Sequence, residues 1–261
     1  MRILVTGHKG FIGSNVFNYL RHECGYGYNV YGLDFPDDIV DFLKYDDNTS
    51  PFKPKFDIVI HLAAFAALRD SIENPNKFWE NNVEKSKPIF EYCEKWNARL
   101  LYASSAGAHG WWMNPYAITK KVNELQAPFN SVGMRFFNVW AEEDSRPDML
   151  YRMLQENTAK YITRHKRDYI HVNDVCRAIS YLMTSDFIGP IDIGTGEAIS
   201  VMDLAEAMGR PNLPIKENTP GEPDSLCADT TDLTNLGWFP TINILDSIKG
   251  HESPKLATPL Q

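Results

Sequence analysis

Residues 2–6, Arg-Ile-Leu-Val-Thr, form a short β-rich apolar run that passes directly into Gly7-His8-Lys9-Gly10-Phe11-Ile12-Gly13, after which helical spacing begins. A strand that feeds a helix through closely spaced glycines restricts the possible folds more than any other feature of the chain. Residues without side chains let the backbone approach a pyrophosphate. The start of the next helix adds unpaired N–H groups and the positive end of its dipole. The spacing is GxxGxxG rather than GxGxxG, so the motif alone also fits a tight turn without ligand; its place after the first strand favours the binding reading.

The rest of the chain repeats the strand–helix alternation. Candidate strands are 2–6, 29–33, 56–62, 99–103, 132–137 and a short 169–172, and candidate helices are 10–23, 75–96, 115–127 and 173–184, the last opened by Asn173 as cap. This order predicts an α/β fold with a doubly wound parallel sheet. From about 138 the alternation loosens into short elements rich in Pro, Gly, Asn and Thr. The expected division is a dinucleotide-binding domain from 1–137 plus about 169–189, a smaller irregular substrate-binding lobe from about 138–168 plus 190–250, and a loose tail at 251–261. A net charge of −8 argues against nucleic-acid partners. The first apolar run is too short for a signal segment and the stretch 56–68 holds Asp57 and His61, so a cytoplasmic protein away from membranes is expected. The cysteines at 24, 93, 176 and 227 are too far apart for a CxxC site and read as core filler, and no metal-ligand spacing appears among the seven histidines.

Three further positions carry chemistry. Asp34 ends the second strand 21 residues after Gly13, where a carboxylate holds the hydroxyls of an adenosine ribose; Phe35-Pro36-Asp37-Asp38 follow it, with negative charge that would repel a 2′-phosphate. Tyr116 and Lys120 are four residues apart and share one helix face, close to Ser104-Ser105 at the end of a strand. A phenol with an ordinary pKa near 10 is a weak base at neutral pH, and an adjacent ammonium favours its ionised form.

At these residues the chain resembles the extended short-chain dehydrogenase/reductases, in particular the NAD-dependent nucleotide-sugar epimerase and dehydratase branch. Besides GHKGFIG and YAITK the likeness includes DIVIHLAA (57–64), YASSAGAHG (102–110), RFFNVWA (135–141), RDYIHVNDV (167–175), IGTGEAISV (193–201), TPGEPD (219–224) and ADTTDLTNLGW (228–238). The resemblance implies a Rossmann-type fold, NAD as cofactor, a nucleotide sugar as substrate and a homodimer built on helices 75–96 and 115–127. It makes Tyr116 the catalytic base, Lys120 the residue that holds the nicotinamide ribose and lowers the phenol pKa, and Ser105 the catalytic hydroxyl. Ser105 rather than Ser104 fits because it stands four residues before His109, where the family usually has tyrosine. By the same likeness Gly7, Gly10, Phe11, Ile12, Gly13, Asp34, Ala63, Ala64 and Asn82 line the cofactor. Asn138 and Arg167 touch the sugar nucleotide, and His171 is structural.

The chain also departs from the pattern. Ser105 and Tyr116 are only 11 positions apart, fewer than the family usually has, and the residues between them include Trp111 and Trp112, which we expect at the mouth of the sugar pocket. Ala106-Gly107 stand where 4,6-dehydratases carry Asp-Glu, and the glutamate of related decarboxylases is missing too. TPGEPD lacks a neighbouring arginine. The expected activity is therefore epimerisation of a nucleotide sugar through a transient ketone. The alternatives are a nucleotide-sugar ketoreductase with net redox and a catalytically silent NAD-sensing protein.

Overall fold

Six parallel strands form the larger sheet of the computed structural model, which describes residues 1–22, 27–34, 55–143, 145–218 and 221–250. The expectations for Cys24, for residues 35–38, for Thr219-Pro220 within TPGEPD and for the tail lie outside these residues. The strands are β1 (Arg2–Thr6), β2 (Asn29–Leu33), β3 (Ile58–His61), β4 (Arg99–Ser105), β5 (Ser131–Phe136) and β8 (Gly189–Ile193), in the order β2-β1-β3-β4-β5-β8. Every pairing is parallel, so Thr6, His61 and Ser105 all come to the same, carboxyl edge. All four residues of β3 are buried, because helices cover the sheet on both sides. On one face α1 (Phe11–His22) buries Gly13, Val16 and Leu20, one side of a helix, against the core shared with α7 (Val172–Thr184). On the other face α4 (Lys87–Trp96) packs Ile89, Phe90 and Cys93 against Leu4, Val59 and Leu100.

Helix 75–96 is expected from sequence as one piece and is found as three: α3 (Pro75–Trp79), a π-helical turn at Glu80–Glu84, and α4. Pro88 has no N–H for the ladder, so the helix restarts with Pro88 in its first turn. A short α2 (Leu68–Glu73) precedes it, and α5 (Pro115–Gln126) follows a 3₁₀ segment, Ala106–Met113.

The smaller sheet holds β10 (Ser225–Leu226), β7 (Lys166–His171) and β6 (Asn138–Trp140), with β9 (Ala198–Ser200) antiparallel to β7. Its core joins Trp140, Tyr151 and Tyr169 to helices α6 (Leu150–Gln155), α8 (Val201–Ala207) and α10 (Ile244–Gly250); α9 (Thr231–Asn235) buries Leu233 in the large core instead. The chain crosses between the sheets at His171: β7 lies in the small one, while α7 covers the large one. Gly189–Ile193 completes the large sheet, with Ile191 and Ile193 buried. The cap of α7 is His171, not Asn173, since His171 Nδ1 accepts from Asn173 N at 3.2 Å while its Nε2 lies 2.9 Å from Glu142 Oε2. That is the structural role expected for this histidine. Cys93 and Cys176 are buried, whereas Cys227 is exposed and not core filler. No helix among the described residues is long and apolar enough to cross a membrane.

His61 ties β3 to the layer beside it. Ser86 Oγ gives its hydrogen to Asn82 O at 2.7 Å, so it must accept from His61 Nε2 at 2.9 Å, and His61 Nδ1 then accepts from Thr6 Oγ1 at 2.7 Å. Both ring nitrogens are used by the neutral form, and burial together with the Lys120 charge lowers the pKa from 6.5 to about 3. The unfolded chain thus takes up this proton first, and stability is lost as pH falls from 6.5 towards 3. In His61→Gln, whose amide can bridge the same hydroxyls, the melting temperature is expected to fall less between neutral pH and about pH 5 than in the wild type. Parallel pH curves for the two proteins would show that His61 is not the acid-sensitive group.

Candidate active site

The glycine run forms its turn between β1 and α1, where the strand order reverses between β1 and β3. Gly7 has φ +71° and its N–H reaches Leu33 O at 2.8 Å. A Cβ on Gly7 would stand 2.7 Å from Ala63 N, and one on Gly13 would stand 2.0 Å from Gly7 O; Gly10 is less confined, at 3.3 Å from the same oxygen. Phe11 and Ile12 turn their side chains into the core, leaving the backbone of the first helical turn as their contribution to the loop. Asp34 Oδ2 accepts the Lys9 N–H at 2.8 Å, which places the carboxylate beside the glycine loop. Ala63 and Ala64 follow β3 at the same edge. This cradle, which a side chain at 7 or 13 would fill, and the acid beside it fit a dinucleotide.

Asn82 is fully buried in the π-helical turn. Its Oδ1 accepts Phe65 N at 2.8 Å, and its Nδ2 donates to Phe65 O at 3.0 Å and Thr119 Oγ1 at 3.1 Å. It therefore braces the segment after Ala63-Ala64 against α5. A π turn at such a place is a recurrent feature of functional sites.

Helix α5 begins at a strong cap: Asn114 Oδ1 accepts Ala117 N at 2.8 Å and Pro115 takes a first-turn position, where no N–H is needed. Tyr116 follows, its N–H on Ser71 Oγ at 3.1 Å and its ring edge-on to Phe78. The Ser105 hydroxyl stands near enough to the Tyr116 phenol to lower its pKa, and Ser105 Oγ accepts Gly107 N at 3.1 Å. Ser104, the neighbouring hydroxyl, points elsewhere and donates to Glu124 Oε1 at 2.7 Å. Lys120 lies 2% exposed, with Nζ donating to Ala103 O at 2.9 Å and 5.7 Å from the Tyr116 ring centre. Its pKa is lowered by burial from 10.5 to about 7.

Burial raises the Tyr116 phenol above its usual value, while the Ser105 hydroxyl and the charge of Arg146 lower it. The lysine spends its hydrogen bond on the strand. Arg146 was not visible in the sequence as a neighbour of Tyr116, because it lies well beyond it in the chain, after β6.

Asn138 and Arg167 lie on one face of the small sheet, since Asn138 is registered with Tyr169, two residues beyond Arg167. Arg167 donates from Nη2 to Glu222 Oε2 at 3.0 Å and from Nη1 to Pro223 O at 2.9 Å, so an acid already faces the guanidinium expected to meet phosphate. Trp111 and Trp112 stand edge to face, ring centres 5.9 Å apart, and are 44% and 67% exposed, so neither plugs the space of the shortened segment.

The confinement of the glycines predicts unequal effects. Gly13→Ala should cut NAD affinity at least about tenfold and lower the melting temperature, because backbone must move, whereas Gly10→Ala should stay within about threefold of wild type. Calorimetric titration with NAD and thermal melting of the two variants check this. Equal losses at both positions would contradict the cradle.

The chain is 28% identical to the UDP-glucose 4-epimerase of Pisum sativum over an aligned length of 319 residues, covering 91% of this chain and 90% of that protein. That length exceeds the 261 residues here, so the relative carries segments this chain lacks. It is 31% identical to Protein CapI of Staphylococcus aureus over 235 residues, 70% of this chain and 69% of that one. The crystal structure of UDP-glucose 4-epimerase with UDP-glucose from Thermotoga maritima shares the fold with a TM-score of 0.76 at 24% identity, covering 95% and 96% of the two chains. The family model described as "NAD dependent epimerase/dehydratase family" matches residues 3–194, and the chain belongs to that family.

Proposed function

We propose that the protein is an NAD-dependent epimerase of a nucleotide-activated sugar. The observation that carries this reading is the Tyr116 phenol, half-buried beside Ser105 at the carboxyl edge of the sheet that also bears the glycine cradle. NAD, when bound, supplies the redox capacity by which a sugar carbon is oxidised to a ketone and reduced again. Tyr116 takes the proton of the hydroxyl on that carbon and returns it after the configuration has changed. Ser105 donates to the oxygen that carries the developing charge. Lys120 holds the helix to Ala103 O and has a second use at the nicotinamide ribose. Asp34 holds the adenosine ribose and, as an acid, disfavours a 2′-phosphate, so NAD is the dinucleotide. Asn138 and Arg167 face the sugar nucleotide from the small sheet. A homodimer through the helices at 75–96 and 115–127 is supported by exposed Trp79 and, at and beyond the end of α5, by Leu125 and Phe129, 76% and 85% exposed.

The test is epimer formation from UDP-sugars, followed by NMR without added cofactor. Tyr116→Phe should lower kcat at least about a hundredfold with NAD affinity within about threefold, since its proton matters in the transition state and not to dinucleotide binding. Turnover that requires a stoichiometric supply of oxidant or reductant would instead make the protein a net oxidoreductase, and activity near wild type in Tyr116→Phe would remove the phenol from the mechanism.

The exposed indoles give a second expectation. Sugars stack their C–H faces on aromatic rings, so Trp111→Ala and Trp112→Ala, measured separately, should raise the substrate KM by about threefold or more while melting temperature and NAD affinity hold. Unchanged KM in both variants would place the pair outside the pocket.

A further inference from the structure

The segment between Ser105 and Tyr116 joins the two groups that must meet, yet it has little to hold it down. Of residues 106–113 only Ala106 and Ala108 are buried, Gly110 breaks the 3₁₀ geometry, and both indoles face outward. One side chain ties it to the sheet. His109 Nε2 lies 2.8 Å from Asp192 Oδ1 and 3.0 Å from Oδ2, and Asp192, on the edge strand β8, is 6% exposed. Asp192 also accepts Asp229 N at 3.1 Å and lies 3.7 Å from Arg135 Nη1. Arg135 in turn grips Glu124 with two bonds, Nε to Oε1 at 2.7 Å and Nη2 to Oε2 at 2.8 Å. Glu124 stands one turn beyond Lys120 on α5 and accepts from Ser104, the residue next to Ser105. The run of contacts thus starts beside the catalytic serine, passes under the catalytic helix and two strands, and returns to the segment that leaves the serine.

Resting on the epimerase reading, we propose that His109 is a positioning residue: through Asp192 it pins the short segment to β8 and so keeps the Ser105 hydroxyl beside the Tyr116 phenol. The imidazole does in this chain what the missing length of loop cannot. A buried carboxylate already held by Arg135 and a backbone N–H is a fixed acceptor, so the bond sets the position of the segment that carries His109 rather than the reverse. The groups facing His109 are Asp192 and Arg135 from the strands and Asp229 from the turn before α9.

The experiment compares His109→Leu with His109→Gln, whose amide nitrogen can occupy the place of Nε2, in the NAD-loaded protein. His109 is 45% exposed on its side chain, so neither change threatens the core. His109→Leu should lower kcat about tenfold or more with KM and NAD affinity within about threefold, and His109→Gln should restore kcat to within about threefold of wild type. Asp192→Asn in the His109→Leu background should add little, because the tie is already cut. Acrylamide quenching of Trp111 and Trp112, read as the difference from a protein with both replaced by Phe, should rise in His109→Leu and return in His109→Gln. Unchanged quenching overturns the proposal whatever the activity, as does a loss of kcat that Gln fails to restore. A wild-type protein that loosens on His109→Leu but turns over no nucleotide sugar would leave the tie standing and fault the epimerase reading alone.

Discussion

The carboxyl edge of the sheet is organised by Asn82. A wide π turn puts its side chain wholly inside the protein, where it holds both backbone groups of Phe65 and reaches Thr119 on α5, while its carbonyl accepts from Ser86 and from Asn123 Nδ2 at 2.8 Å. Groups from the loop after β3, from α5 and from the start of α4 meet at one residue. An unmade partner there would cost about 1–3 kcal/mol per buried polar group, so the arrangement is all or nothing. Through Ser86 the same residue reaches His61 and Thr6, and Thr6 lies at the mouth of the glycine turn. The glycine turn and helix α5 are in this way parts of one hydrogen-bonded unit.

Charge is handled differently on the two sides of the site. Two buried carboxylates are knots where the two sheets meet: Asp168 on β7 accepts from Thr195, Gly196 and Ala228, and Asp174 on α7 accepts from Thr241, Ile242 and Arg177, and each joins segments that are far apart in sequence. Neither needs a ligand to be satisfied. Arg167 has a partner of the same kind in Glu222, so an anion reaching this guanidinium would compete with a carboxylate. Beneath α5, by contrast, Glu124 with Arg135 and Asp192 with His109 form a connected run that borders the reacting groups.

Much of this could be read from the sequence. The strand–glycine–helix start, the position of Asp34 and the four-residue spacing of Tyr116 and Lys120 are local patterns, and each lies where the periodicity placed it. The breaks in helix 75–96 followed from Pro88, whose effect on the ladder can be read from its type, though the π turn before it could not. His171 displaced Asn173 as cap because an imidazole at the end of β7 can accept the same N–H while its other nitrogen meets Glu142. What sequence did not give was the long-range pairing: Arg146 beside Tyr116, Glu222 on Arg167, Asp192 on His109. Such pairs depend on which loops share an edge of the sheet, and spacing along the chain does not contain it. Glu124 is the exception, since it continues the spacing of Tyr116 and Lys120 by one more turn and could have been found on that face.

The central claim is that Tyr116 is the reacting phenol and that burial, opposed by Ser105, sets its readiness. Ultraviolet difference titration of phenolate formation, wild type minus Tyr116→Phe, measures this directly, with and without saturating NAD. The account predicts that the Tyr116 signal appears above the ordinary tyrosine range in the free protein, moves further up in Ser105→Ala, and moves down when the cationic nicotinamide is bound. A signal at the ordinary tyrosine position, indifferent to both Ser105 and NAD, would contradict it.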